Sequence, residues 1–568
     1  MKQIIECVPN FSEGRDMNII KSITDAIESA ADVKLLDVDP GQATNRTVVT
    51  FVGEPDAVVE AAFQGVKRAA ELIDMRHHHG AHPRMGATDV LPLIPVAGIT
   101  LEECAALSRK LAERVTTELN IPVYCYEAAA FTPERKNLAI CRAGEYEALP
   151  EKLSHEGKGA DFGDRPFDDD AARTGATTIG ARDFLIAVNF NLNTTSTRRA
   201  NAIAFDVREK GRPAREGGKL TGKPLKDENG KPIMIPGTLK STKAIGWYID
   251  EYGIAQVSMN ITDTNITPLH VAFDEVCRAA AARGIRVTGT EIVGLVPKKT
   301  LIEAGKHYLR MQQRSLGIPE REIVRMAIKS MGLDELRPFK PEEKVIEYML
   351  EAEAKPAKRL VDLSCRGFAE ETASESPAPG GGSISAYLGA LGAALGTMVA
   401  NLSAHKAGWD ERWEEFSDLA VSGQALMEEL LHLVDEDTEA FNRIMDVFAM
   451  PKNTDEEKAA RAQALEKATE YACEVPLATM TTSCRIFDLL AEVASKGNPA
   501  SVSDAGVGAL AVRAAVHGAG LNVRINAAGL KDRALANRFV TDAAAIEARA
   551  DEAEKTIIDK VNEIISSK

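Results

Sequence analysis

The sequence predicts an α/β (α+β) N-terminal half made of two subdomains, followed by an all-α C-terminal helical-bundle domain. Short β-like runs alternate with helical patterns up to about residue 335. The β signal then nearly vanishes, and alanine, leucine and glutamate at helical spacing take over. Residues 338–356, which mix prolines, lysines and glutamates, read as a linker between the two regimes. The expected divisions are 1–182 and 183–335 for the two subdomains, 336–356 for the linker and 357–568 for the helical domain.

In chain order, residues 4–8, 34–38, 47–52 and 122–126 read as strands, and 55–73 and 101–119 as helices. The stretch 150–182, rich in Gly and Asp around 157–166, joins this set to a second one. That set has strands at 184–189, 256–260 and 286–293 and helices at 196–210 and 269–284. Residues 213–240, rich in Gly, Lys and Pro, read as an excursion, and 343–350 as a short helix. Beyond 357, the windows 384–401, 427–434, 455–471 and 505–520 are helix formers. Gly389, Gly392, Ala393 and Gly396 would let neighbouring helices approach closely, as in a tight soluble helical dimer or bundle.

The composition, 45% hydrophobic and 27% charged over 568 residues, supplies ample core. A net charge of −16 argues against broad nucleic-acid binding, so an anionic substrate would need a local basic pocket. None of the eight cysteines forms a C-x-x-C pair, which disfavours zinc ribbons and dithiol motifs and fits a reducing compartment. No N-terminal signal peptide and no uninterrupted apolar run of about 18 residues is visible. The expectation is a cytoplasmic protein with no membrane partner.

The segment 74–86 concentrates chemistry: His77, His78, His79 and His82 with Arg76 and Arg84, punctuated by Gly80 and Pro83. Histidine exchanges protons near neutral pH, and arginine grips carboxylates bidentately. Gly80 and Pro83 break the helical i, i+4 spacing that a metal pair would use, so a catalytic or anion-binding loop is favoured over a metal tract or a solvated loop. His82 sits before Pro83, which biases it towards extended backbone and suits a positioned base. Asp37 and Asp39, then Thr44, Asn45 and Arg46, cluster after a strand, where either a ligand site or a plain Asp-Pro-Gly turn fits. Asn10 to Gly14 is comparable.

Later in the chain, Gly380, Gly381, Gly382 and Ser383 lead into a helix, an anion seat or simply an N-cap. The P-loop ending is missing, so nucleotide hydrolysis is not supported. Asp435 and Glu439 share a helical face, either as an acid/base pair or as a solvated acidic face. The polar loop 498–504 reads most simply as the start of a helix.

Together these motifs resemble a known family. Glu6-Cys-Val-Pro-Asn-Phe-Ser-Glu-Gly14, Leu36-Asp-Val-Asp39, Thr44-Asn-Arg46, Gly80-Ala-His-Pro-Arg-Met-Gly86 and Ile245-Gly-Trp-Tyr248 are similar to glutamate formiminotransferases. Ala378-Pro-Gly-Gly-Gly-Ser383, Met450-Pro-Lys-Asn-Thr454 and Asn498-Pro-Ala-Ser-Val-Ser-Asp504 are similar to cyclodeaminases. The order matches the bifunctional formiminotransferase-cyclodeaminase family over essentially the whole chain outside 213–240.

The resemblance implies transfer of the formimino group from N-formimino-L-glutamate to N5 of tetrahydrofolate. Ring closure to 5,10-methenyltetrahydrofolate with loss of ammonia follows. It implies His82 as the transferase base, and Asp39 is taken as a further catalytic candidate. It implies folate contacts at Gly163, Asp164, Thr174, Gly175, Asp206, Val207 and Arg208, and in the second half at Gly381, Gly382, Ser383 and Glu439. Asp168, Asp169 and Asp170 make the 163–175 loop more acidic than the family's. Where the family places a catalytic carboxylate in the second half, ungapped matching puts Trp413, with Asp410, Glu411 and Glu414 as neighbours; Asp410 and Glu414 are the candidates. The family also implies polyglutamylated tetrahydrofolate as carrier substrate, no metal, small-molecule partners only, and a homo-oligomeric, dimer-based ring. Lys406 and Arg412 could contribute to a basic groove. A formyl-transferring or cyclohydrolase-like folate enzyme, or a transferase whose second half only assembles oligomers, remain alternatives at this point.

Overall fold

The computed structural model describes residues 3–41, 45–80, 84–154, 159–218, 222–353 and 359–567. The chain forms two units by packing. One comprises residues 1–297 with 344–350, the other 298–343 with 351–568.

The first unit begins with a mixed sheet of β1 (Ile4–Cys7), β2 (Asn10–Phe11), β3 (Val33–Gly41), β4 (Arg46–Gly53), β5 (Thr88–Ala97), β6 (Val123–Glu127) and β7 (Thr177–Ala181). β1 and β2 lie between β4 and β5 and pair antiparallel with both; β3 pairs with β4 on the outer side. β5, β7 and β6 run parallel in that spatial order. Helices α1 (Met17–Glu28), α2 (Pro55–Leu72) and α3 (Leu101–Leu119) bury their apolar stripes against one face. Asp16 caps α1, and a capping box of Thr100 and Glu103 starts α3, which stops at left-handed Asn120. Alternation along β1 sends Ile5 and Cys7 into this helix-side core and leaves Glu6 and Val8 for the opposite face.

A short helix, α4 (Leu138–Cys141), follows β6. The second sheet is antiparallel, in the order β11 (Thr242–Ile249), β12 (Ile254–Ile261), β8 (Ile186–Leu192), β13 (Val287–Val293). α5 (Thr197–Val207) and α6 (Leu269–Ala281) cover one face, where Phe190 of β8 meets Phe273 of α6. Between α5 and β11 the excursion forms a two-stranded ribbon of β9 (Arg212–Pro213) and β10 (Met234–Ile235).

In the second unit, α7 (Lys298–Met311) and α8 (Glu320–Met331) pack against each other. The turn between them bonds to the bundle: Ser417 Oγ accepts from Leu316 N at 3.0 Å, and Asn401 Nδ2 donates to Gly317 O at 2.8 Å. The bundle consists of α9 (Gly381–Ala404), α10 (Trp413–Ala449), α11 (Asp455–Lys496), α12 (Val502–Ala528) and α13 (Arg533–Ser566). Small residues do what the sequence predicts: a Cβ on Gly389 or Gly392 would collide with Ser483 or Val512. α9 is long and apolar enough to cross a membrane by length and composition, but 61% of its most apolar window is buried in the bundle.

The architecture is the mixed-sheet half plus all-helical half that the sequence predicts. The strands β5, β7 and β11 have no counterpart in the sequence reading; in β5, Pro92 and Pro95 mask the β pattern. The Pro92 carbonyl accepts from Val8 N. The bundle helices run far past their predicted windows, since 427–434 and 455–471 are fragments of helices of 37 and 42 residues.

Candidate active-site cleft

A cavity of about 890 Å³ opens within the first unit, lined from both sheets and from α4. Its volume lies in the range of about 300–1,000 Å³ typical of small-molecule sites. Four cations line it: Arg46 at the start of β4, Arg142 just after α4, Arg182 just after β7 and Lys243 on β11.

Arg142 is held by a fully buried carboxylate. Asp89 of β5 pairs with it and accepts from Met85 N at 2.9 Å. Burial pushes the Asp89 carboxyl up, and the Arg142 guanidinium pulls it back down. Arg46 has its pKa lowered by its own burial and then by the charge of Arg142, so the two guanidiniums face a common space that would welcome an anion.

Backbone strain gathers around this cavity. Glu127, Glu145 and Ser241, all lining it, have φ of +52°, +57° and +49°, and Asn45, next to Arg46, has +49°. Non-glycine residues rarely adopt such angles, and the cost is typically retained at functional sites.

The histidine-rich loop is tied to the cleft rim on both sides. His78 is buried, and its Nε2 donates to the Asn45 carbonyl at 2.8 Å; Nδ1 has no partner among the described residues. Burial lowers its pKa. Asn45 returns a bond from Nδ2 to His79 O at 3.1 Å. On the far side Arg84 pairs with Glu147 at 2.7 Å and with cavity-lining Glu145 at 3.2 Å. His82 lies between these anchors in sequence but outside the described residues. Asp74 starts the loop, holding Arg76 at 2.6 Å, and that guanidinium lowers its carboxyl to about 2.

Glu6, on the cleft-facing side of β1, is buried, and burial lifts its carboxyl to about 7 against the pull of Arg182. The folded pKa is above the unfolded value of 4.5, so the folded chain binds more protons between those two values. Stability should therefore fall as pH rises through that window. Glu6→Gln is expected to remove this slope and to be more stable at pH 8 by on the order of 3 kcal/mol. Urea titrations of both proteins at pH 5 and pH 8 would show it, and an unchanged slope would contradict it.

Of the other residues singled out from the sequence, Val8 and Asn10 line this cavity, and the rest of those described are spread over the structure. Asp39 is exposed at the end of β3, opposite Val48, and within electrostatic reach of Arg46. Gly163 turns with φ +69° against Thr116, and Gly175 packs on Met85 and Gly86. Asp164 lies against Gly159, and the Thr174 hydroxyl donates to Asp170 O at 3.0 Å. The start of this loop is pinned by Arg135, which pairs with Asp161 at 2.5 Å. Asp206 pairs with Arg212 and Arg283, Val207 is buried, and Arg208 donates to Gly211 O and Ala244 O.

In the second unit the N-terminus of α9 is already filled. Asp437 of α10 accepts from both the N and the Oγ of Ser383 at 2.8 Å and lies against Gly382, while Gly381 faces Asn522. The predicted anion seat thus holds this chain's own carboxylate, whose pKa burial raises. Glu439 lies half-exposed two residues along, 3.4 Å from Arg443. Asp410 and Glu414 are exposed at the opposite end of α10. The 25 residues from Glu414 to Glu439 on this one helix span about 37 Å, so these two groups do not meet within one chain. Beside Asp410, Trp409 stacks on Phe416 at 5.7 Å, with Lys406 and Arg412 over its ring at 3.9 and 4.6 Å. Among the described residues no cluster of His, Cys, Asp and Glu is arranged to hold a metal.

Arg142, Arg182, Lys243 and Glu127 were not foreseen. Each is an isolated charge in its own segment, and only the folding of two sheets gathers them.

A cationic cleft between two sheets, joined to a separate helical bundle, defines a two-part enzyme with a small anionic substrate in its first part. Comparison gives the family. The formiminotransferase domain, N-terminal subdomain, matches residues 4–182; the formiminotransferase domain matches 187–351; and formiminotransferase-cyclodeaminase matches 364–545. The chain is 42% identical to the formimidoyltransferase-cyclodeaminase of Mus musculus over 94% of both chains. Its first part is 40% identical to a glutamate formimidoyltransferase of Streptococcus pyogenes, covering 55% of this chain and 95% of that one. Within a further stretch, 32% of this chain is 40% identical to a methenyltetrahydrofolate cyclohydrolase of Methylorubrum extorquens, covering 88% of it. The chain belongs to the formiminotransferase-cyclodeaminase family and carries both of its enzymatic halves.

Proposed function

We propose that the first half transfers the formimino group of N-formimino-L-glutamate to N5 of tetrahydrofolate, and that the second half closes 5-formiminotetrahydrofolate to 5,10-methenyltetrahydrofolate with release of ammonia. The observation that carries the first step is the cleft itself: Arg46, Arg142, Arg182 and Lys243 converge where a dicarboxylate and an anionic folate must meet. His82 takes the N5 proton as N5 attacks the amidine carbon, and the glutamate nitrogen leaves with a proton. His78 and Arg84 support this reading by tethering the histidine loop to the rim on either side. In the second half N10 attacks the formimino carbon, and the nitrogen leaves as ammonia after gaining the N10 proton and one from an acid. Asp410 and Glu414 are candidates for that acid, and Glu439, beside the start of α9, for folate contact.

The carrier is read as polyglutamylated tetrahydrofolate, with folate contacts along 163–175 and 206–208, and the protein as cytoplasmic. It is also read as a homo-oligomer. α9 and α12 expose Leu391, Met398, Val507, Leu510, Leu521 and Ile525, an apolar surface of the kind that pairs with a second copy. If Asp410 and Glu439 serve one ring-closing site, pairing would also be the way to bring them together. Light scattering tests this, and a monomer at micromolar concentration would refute it.

The division of labour is tested at Glu439. Glu439→Gln is expected to slow ring closure roughly tenfold, the order of one charged hydrogen bond, and to leave glutamate release unchanged. Equal losses in both steps would refute it.

A further inference from the structure

We infer that Glu127 recognises the amidinium of the formimino group and so sets the preference for formimino over formyl donors; this rests on the transferase reading above. Alternation along β6 would place residue 127 with Val123 and Cys125 on the helix side of the sheet. The left-handed backbone at Glu127 breaks that alternation, and the residue lines the cavity instead. It pairs in register with Ala181, so Arg182 follows next to it, and Lys243 faces it from the second sheet.

The cavity has four lining carboxylates. Glu145 is paired with Arg84, and Asp263 accepts from Asn265 N and Ile266 N. Asp183 is engaged as well. The Glu127 carboxylate makes no hydrogen bond and no ion pair within 4 Å among the described residues. Desolvation raises its pKa, while Arg182 and Lys243 act to lower it.

The charge pattern of the donor matches. N-formimino-L-glutamate carries two carboxylates and, on the nitrogen of its α-carbon, a planar amidinium whose paired N–H groups fit a carboxylate as a guanidinium does. The α-carboxylate shares that carbon, so the receptors for the two charges must be neighbours, as Glu127 and Arg182 are. The more distant carboxylate falls to Arg46 and Arg142. A formyl donor has the same carboxylates but a neutral amide, and nothing in it balances Glu127.

The test compares wild type with Glu127→Gln, and with Glu127→Gly, which suits the left-handed backbone. Binding of N-formimino-L-glutamate and of N-formyl-L-glutamate is measured by calorimetry, alongside steady-state transfer. Both variants are expected to bind the formimino donor roughly 10- to 100-fold more weakly. Affinity for the formyl analogue and KM for tetrahydrofolate should stay within about twofold. Unchanged formimino affinity, or equal weakening of both donors, overturns the assignment while leaving the transferase reading standing. A wild-type protein that binds and transfers neither donor overturns both.

Discussion

Replacing His82 by alanine is expected to abolish glutamate release while leaving the fold intact. A positioned general base contributes about 10²–10⁴-fold to such a step. The attacking N5 must shed its proton as it bonds to the amidine carbon. Of the neighbouring histidines, His78 is committed to the Asn45 carbonyl and its pKa is lowered by burial, His77 is exposed, 3.5 Å from Asp74, and His79 is exposed on the same loop. His82, which lies between the two tethers in sequence, is proposed as the base because it falls on the catalytic histidine that the family resemblance implies. Glutamate release, followed with the variant and wild type at equal folded concentration, decides the matter, and near-wild-type turnover by His82→Ala would sink the assignment. His78 is expected to act differently, through the left-handed turn that presents Arg46.

The second large effect is expected at Asp89. This carboxylate is fully buried and Arg142 is mostly so. Asp89→Leu would leave a guanidinium without its partner in a poorly solvated place, at about 3–5 kcal/mol of stability. Arg142→Gln is the milder change, because a carboxyl whose pKa burial already raises can accept a proton. Its stability loss should be about 1–2 kcal/mol, with the main effect on KM for N-formimino-L-glutamate, up roughly tenfold. Urea unfolding at pH 7 with steady-state kinetics on both variants tests the asymmetry. Equal destabilisation, or an unchanged KM for Arg142→Gln, would contradict the view that Asp89 exists to aim Arg142.

Much of the fold is legible in the sequence because its elements carry strong local patterns. The helices at 55–73 and 101–119 start and stop within a residue of their predicted ends, helped by Pro55 at a first turn and by the capping box at Thr100. β5 is not legible, because its two prolines are tolerated only through pairings with strands distant in sequence. The candidate site divides the same way. The histidine loop announces itself by density of chemistry within 13 residues. The cationic cleft does not, since Arg46, Arg142, Arg182 and Lys243 come from four segments, and no local spacing links them. The glycine run before α9 misleads in an instructive way. Its helix start is an anion seat, as the sequence suggests, but a carboxylate 54 residues later in the same chain occupies it.

The most direct test of the whole account is to mix the protein with tetrahydrofolate and N-formimino-L-glutamate and to follow methenyl-folate absorbance with glutamate and ammonia assayed in parallel. The account predicts stoichiometric glutamate, ammonia and methenyl-folate. Glutamate without ammonia or absorbance would contradict the ring-closing half and point to Trp413, while no glutamate at all would contradict the central claim.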